Sequence, residues 1–177
     1  MSHLLFLSMF DNSLIFFYQT CSSEFLHNKT HATQMKESET SYCFEALWPF
    51  LRTAAHAVST LTCDFKVGET KLKALKCDGK TKNYNADGVI FDKEKHLELL
   101  LLESSGHLGM RDRHRHVFDH IKGAYGCYSM LLHILDKYPH ADKKLISSAK
   151  VLFVHSSAKG SKNISLFLSH LCTIVYV

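Results

Sequence analysis

The stretches Asp87-Gly88-Val89-Ile90-Phe91 and Leu97-Glu98-Leu99-Leu100-Leu101-Leu102-Glu103, joined through the charged Lys93-Glu94-Lys95-His96, decide how this chain folds. Both are strand-length apolar runs bounded by turn-forming or charged residues, so they read as an antiparallel hairpin. The second is a near-continuous leucine run, the pattern of a strand covered on both faces. Upstream, Cys43, Leu47, Phe50 or Leu51, Ala54 and Val58 recur at the three-to-four spacing of an amphipathic helix between Glu39 and Val58. Pro49 either kinks that helix or occupies the first turn of a shorter one beginning near Trp48. Leu61 to Val67 reads as a short strand and Gly68-Glu69-Thr70 as a turn. Downstream, Val117, Ile121, Ala124 or Tyr125, Tyr128, Leu131 or Leu132 and Leu135 mark a long helix ended by Pro139, and Lys150 to His155 is a further apolar strand. The order helix, strand, hairpin, long helix, strand predicts an α/β fold with a mixed β-sheet flanked by helices.

Composition agrees with one folded domain. The 177 residues are 46% hydrophobic and 21% charged, with 8 Gly and 2 Pro, too apolar for disorder and too poor in Gly and Pro for a fibre. The formal net charge of +4 is a mild basic bias, short of the footprint that argues for nucleic acid unaided. Apart from Asp11, Glu24 and Lys29, every charged residue lies between Lys36 and Lys162. The expected division is an apolar N-terminal extension over 1–35, the α/β domain over 36–162 and an apolar C-terminal tail over 163–177. Leu4 to Tyr18 is interrupted by polar residues and Leu166 to Val177 is short, so neither is expected to span a membrane. Cys21, Cys43, Cys63, Cys77, Cys127 and Cys172 are spread singly, which reads as free thiols in an intracellular compartment, cytoplasm or nucleus.

The hairpin carries the first candidate chemistry. Side chains alternate along a strand, so with Lys93 to Leu97 as a five-residue loop Asp87 lies directly opposite Glu103, their Cβ atoms about 5 Å apart. Two carboxylates that close repel unless a proton or cation joins them, which makes the pair a candidate hard-metal site. Ser105 falls on the same face by parity and Glu98 on the other, where it is expected to be solvated or paired. The alternative is that Asp87 and Glu103 merely begin and end strands and point to water.

Asn85-Ala86-Asp87-Gly88-Val89-Ile90, followed by a strand ending Glu103-Ser104-Ser105, resembles motifs II and III of the PD-(D/E)XK nuclease superfamily. The flanking elements over about 39–156 resemble that family's restriction-endonuclease-like α-β-β-β-α-β core. The pairing of an Asp-Gly strand with a Glu-x-Ser-Gly strand is also similar to uncharacterised fungal proteins. The resemblance implies that Asp87 and Glu103 bind Mg2+ and that Glu45 is the weaker candidate for a helix carboxylate. The position of the family's motif lysine is Ser105, which has no cationic charge to offer. Losing one such group costs on the order of 10²–10³ in rate. Either Lys95 or Lys122 has taken over, or the scaffold persists as a pseudoenzyme, the reading slightly favoured here. If active, the implied reaction is Mg2+-dependent phosphodiester hydrolysis.

Other features bear on partners. Lys66, Lys71, Lys73, Lys76, Lys80 and Lys82 crowd one stretch, read as a solvated hairpin or loop or as a face toward an anion. Arg111, Arg113 and Arg115 interleave with His107, His114, His116 and His120, and with Lys122 they are the candidate nucleic-acid contacts. His116 and His120 have the i, i+4 spacing of a zinc pair, but the arginines among them disfavour a cation. Gly123 and Gly126 read as positions where the long helix packs closely on the sheet. A non-catalytic module that binds a protein partner through the same scaffold is the alternative to the nuclease.

Overall fold

The computed structural model describes residues 33–57, 62–76, 84–147, 149–156 and 172–176. At its centre strand β2, Asn85–Asp92, pairs antiparallel with strand β3, Leu97–Ser104. Their loop is four residues, 93–96, with His96 at a φ of 53°. Asp92 organises it: its buried Oδ1 accepts the backbone N–H groups of Glu94 and Lys95, which fixes a tight turn. The loop is one residue shorter than expected, and a bulge between Ile90 and Phe91 makes up the difference. The pairs Ile90↔Leu100 and Phe91↔Glu98 leave Leu99 as the extra residue, and beyond it Gly88 pairs with Leu102. Continuing by one residue brings Asp87 level with Glu103.

The bulge also corrects one parity. Leu97, Leu99, Leu100 and Leu102 all join the same core cluster, so Leu99 and the adjacent Leu100 point to one face. Glu98 is thereby turned to the face that carries Leu101 and Glu103, not to the opposite one. A single inserted residue exchanges faces for everything on one side of it.

Strand β1, Cys63–Lys71, pairs antiparallel with β2, strand β4, Lys150–Ser156, pairs parallel with β3, and strand β5, Cys172–Tyr176, pairs antiparallel with β4. The sheet is mixed, in the order β1-β2-β3-β4-β5, and the chain is an α/β protein. Gly68-Glu69-Thr70, expected as a turn, lies inside β1, where the register slips between Val67 and Thr70 and Gly68 takes a φ of 76°. That left-handed backbone lets the strand absorb a bulge. Of the apolar C-terminal stretch, 172–176 forms the edge strand. The N-terminal stretch to residue 32 and Lys80 and Lys82 lie outside the described residues.

Helix α1, Glu39–Tyr42, a π-helical turn, Cys43–Leu47, and helix α2, Trp48–Ala57, run on without a break. Ser38 caps the start by accepting the N–H of Ser41. Pro49 has no N–H and its ring crowds the carbonyl four residues back, so the turn before it widens: the Trp48 N–H bonds to the Cys43 carbonyl, five residues away. Both sequence readings of Pro49 are thus partly realised. Cys43, Leu47, Leu51, Ala54 and Ala55 pack on Phe65, Ile90, Leu100, Leu102 and Leu152 of one sheet face.

The other face is covered by helix α3, Arg113–Lys137, whose N-cap Asp112 accepts the N–H of Arg115. A Cβ on Gly123 would sit 2.0 Å from the Phe153 ring and one on Gly126 2.8 Å from Leu101. These glycines let helix and sheet approach past two large side chains, as their spacing suggested. Cys127, Met130 and Leu131 complete that layer against Val89, Leu101, Val151 and Phe153. A short helix α4, Lys143–Ile146, leads into β4. Cys43, Cys63 and Cys127 are buried free thiols. No helix among the described residues is long and apolar enough to cross a membrane.

Candidate functional site

Glu103 is the most deeply buried carboxylate on the α3 face, 1% exposed at the end of a strand whose eight residues are all buried. A charge so placed requires partners. Tyr84 donates its hydroxyl to Oε1 at 2.7 Å, and Lys122, reaching across from α3, donates Nζ to Oε2 at 2.8 Å. Lys122 Nζ also donates to the Asn85 carbonyl at 2.8 Å and stands 4.9 Å over the Tyr84 ring. Burial still wins: it pushes the Glu103 carboxyl up to about 7 against the pull of Lys122 and Tyr84, with nearby Asp87 adding to the rise.

Asp87, half-buried on β2, accepts the Ser104 N–H at 2.6 Å through Oδ2, and Trp48 donates its indole N–H to the Asp87 carbonyl. Burial raises its pKa as well, against the Ser104 hydrogen bond and the Lys122 charge. The two carboxylates share the α3 face and sense each other, each held toward the protonated form. Such a pair gains most from a cation.

Ser105, two residues beyond Glu103, belongs to a different network. Its hydroxyl donates to Asp119 Oδ2 at 2.9 Å and lies 2.7 Å from His155 Nε2. Having given its proton to a carboxylate, the hydroxyl must accept from Nε2, so His155 carries its hydrogen there and presents a bare Nδ1. That Nδ1 lies 3.3 Å from His120 Nδ1, which is the donor of the pair. His116 stacks on His155 with ring centroids 4.2 Å apart. Burial first, then His116 and His120, push His155 down to about 4, so it is a neutral imidazole. The Ser105 hydroxyl is thus engaged on both sides, donating to Asp119 and accepting from His155. The His116/His120 pair is turned to His155.

The remaining candidates divide. Lys95 stands at the opposite end of the hairpin, 3.9 Å from Asp92 Oδ2, too far along the sheet to serve Glu103. Glu45 lies half-buried in the π-helical turn. Glu39 of α1 is the helix carboxylate that senses the site: burial raises its pKa, and Asp87 and Asp119 raise it further. Sequence reasoning passed over Glu39, although its place directly after the Ser38 cap marks it as a first-turn carboxylate. Arg115 pairs with Glu39 and lies 3.7 Å from Asp119, so its charge is spent between α1 and α3. Arg111 and Arg113 are exposed.

Among the described residues no three His, Cys, Asp or Glu side chains are grouped as a ready metal cage. Asp87 and Glu103 nevertheless suit a hard cation such as Mg2+, which binds one or two carboxylates and keeps waters or substrate phosphate in its other positions. A buried Asn85 Oδ1 with no hydrogen-bond partner lies two residues before Asp87 on the same strand. No family model, curated protein or solved structure matches this chain.

Proposed function

We propose that this is a divergent PD-(D/E)XK-type domain that hydrolyses phosphodiester bonds of nucleic acid with Mg2+ held by Asp87 and Glu103. The observation that carries the reading is Lys122 Nζ 2.8 Å from Glu103 Oε2: a lysine from α3 stands where Ser105 leaves the sheet without a cation. The order helix, three antiparallel strands, helix, parallel strand agrees with the α-β-β-β-α-β core the motifs imply.

The bound cation would neutralise phosphate charge and acidify a water. The protein's own groups have separate tasks. Asp87 and Glu103 supply hard oxygens on one face, and Tyr84 holds Glu103 in its rotamer. Lys122, 28% exposed on its side chain, reaches both Glu103 and solvent and donates to a phosphoryl oxygen as negative charge develops there. Arg111 and Arg113 follow Glu103 on the chain and offer free charge to a nucleic-acid backbone. Arg115, neutralised by Glu39, ties α1 to α3 instead.

Nicking of supercoiled plasmid in Mg2+ or Mn2+ tests the reading. Wild type is expected to nick, with Lys122→Met and Glu103→Gln each lowering the rate on the order of 10²-fold or more and Lys95→Met leaving it unchanged. No cleavage by wild type, or cleavage indifferent to Lys122, would leave the relic or the protein-interaction module as the function.

A further inference from the structure

The face of α3 turned away from the sheet is apolar. Phe118 is 67% exposed, Ile121 64%, Tyr128 56%, Val117 48%, Tyr125 40% and Leu132 37%. At 100° per residue these six fall in one stripe opposite Gly123, Cys127 and Met130, which face the sheet. Side chains of this size carry about 150–250 Å² each, so the stripe leaves on the order of 500 Å² of apolar surface open in one contiguous band. Helix stability does not require it, because the opposite face already packs on the sheet.

The stripe has a hydrogen-bond donor at one end and a carboxylate at the other. His114 stands on it before Phe118, and Asp136 stands on it after Leu132, both exposed. We propose that the stripe docks on the same stripe of a second copy of this chain, antiparallel about a two-fold axis beside Tyr125. Around that axis His114 meets the second copy's acidic end at Asp136, Phe118 meets Leu132, and Ile121 falls beside Tyr128. A parallel arrangement would set carboxylate against carboxylate at Asp136, whereas the antiparallel one gives each Asp136 an imidazole donor, so the ends select the antiparallel one. Two such faces bury about 1,000 Å², the lower bound for a specific association, so the dimer is expected to dissociate in the micromolar range.

The test is sedimentation velocity on the full chain from about 1 to 100 µM. The expected result is a monomer–dimer equilibrium, with Ile121→Glu and Phe118→Glu monomeric throughout and wild-type far-UV circular dichroism retained, because both residues are exposed. His114→Glu should weaken association about tenfold, and adding Asp136→Lys should restore it. Tyr125→Cys, at the axis, should oxidise to a covalent dimer joined at residue 125. A wild type that stays monomeric overturns the proposal, assigning the stripe to another partner or to residues 1–32. A dimer indifferent to Ile121→Glu, or one that does not cross-link through residue 125, overturns it as well.

Discussion

Glu98 and Glu103 sit five residues apart on β3, on the same face, both buried, and they are solved differently. Glu98 accepts the backbone N–H groups of Lys73 and Ala74 at 2.8 and 3.0 Å, closing the start of the 3₁₀ turn Lys73–Lys76. Its partners are fixed to the main chain, so its charge is consumed by structure. Glu103 is met by two side chains, Tyr84 and Lys122, one of them a partly exposed cation free to exchange partners. Asp92 at the hairpin end follows Glu98, and Asp87 is half exposed beside Glu103. Burial of an acid therefore does not mark a site. What distinguishes the Glu103 end is that its charge is balanced by side chains, one of them a partly exposed lysine.

The largest effect that separates the two ends is expected from Lys122→Met. It leaves Glu103 buried without its cation, which costs about 3 kcal/mol at pH 8. At pH 5.5 the carboxyl, with its pKa pushed up to about 7, takes a proton instead, and the loss should shrink to about 1 kcal/mol. Urea unfolding at the two pH values checks this. A cost independent of pH would show that Lys122 acts by packing alone.

Removing the other acid should cost somewhat less. Glu98→Ala strips two charge-assisted bonds from the N–H groups of Lys73 and Ala74, a loss of about 2 kcal/mol read by urea unfolding at pH 8. A loss as large as that of Lys122→Met would erase the contrast between the ends.

The smallest effect is a slope. Glu103, raised from 4.5 to about 7, holds a proton in the native state that the unfolded chain has lost, so its contribution to stability falls as pH rises through that window. His155, lowered from 6.5 to about 4, does the reverse: the unfolded chain binds the proton, and stability rises with pH between those values. The two offset each other between about 4.5 and 6.5. Glu103→Gln should unmask the His155 rise across that range, measured as the midpoint of thermal unfolding. A variant curve parallel to wild type would contradict the assigned shifts.

Much of the fold was legible because it rests on short-range pattern. The leucine run declared a doubly covered strand, and Gly123 and Gly126 declared a close helix–sheet contact. What could not be read was the consequence of single irregularities. The bulge at Leu99 reversed the face of Glu98, and Gly68 bent a strand rather than ending it, because backbone hydrogen bonding chose between arrangements that the residue types allow equally. The site was legible on one strand pair only. Asp87 opposite Glu103 was expected from alternation across a five-residue loop, and a four-residue loop with the bulge at Leu99 arrives at the same pairing, whereas Lys122, Tyr84, Glu39 and the Ser105–His155–His120 chain depend on how α1 and α3 cross the sheet, and no local spacing records that.

The central claim is that the Glu103 end, unlike the Glu98 end, is built to hold a divalent cation, and a thermal unfolding titration with Mn²⁺ at pH 8 tests it most directly. A cation bound only by the folded state at about a hundred times its dissociation constant adds about 2.7 kcal/mol, a rise on the order of 5 °C or more for a chain of this size. The rise is expected in wild type and in Glu98→Gln, and is expected to vanish in Asp87→Asn and Glu103→Gln. A wild-type midpoint that does not move, or one that moves equally in Asp87→Asn, would contradict it.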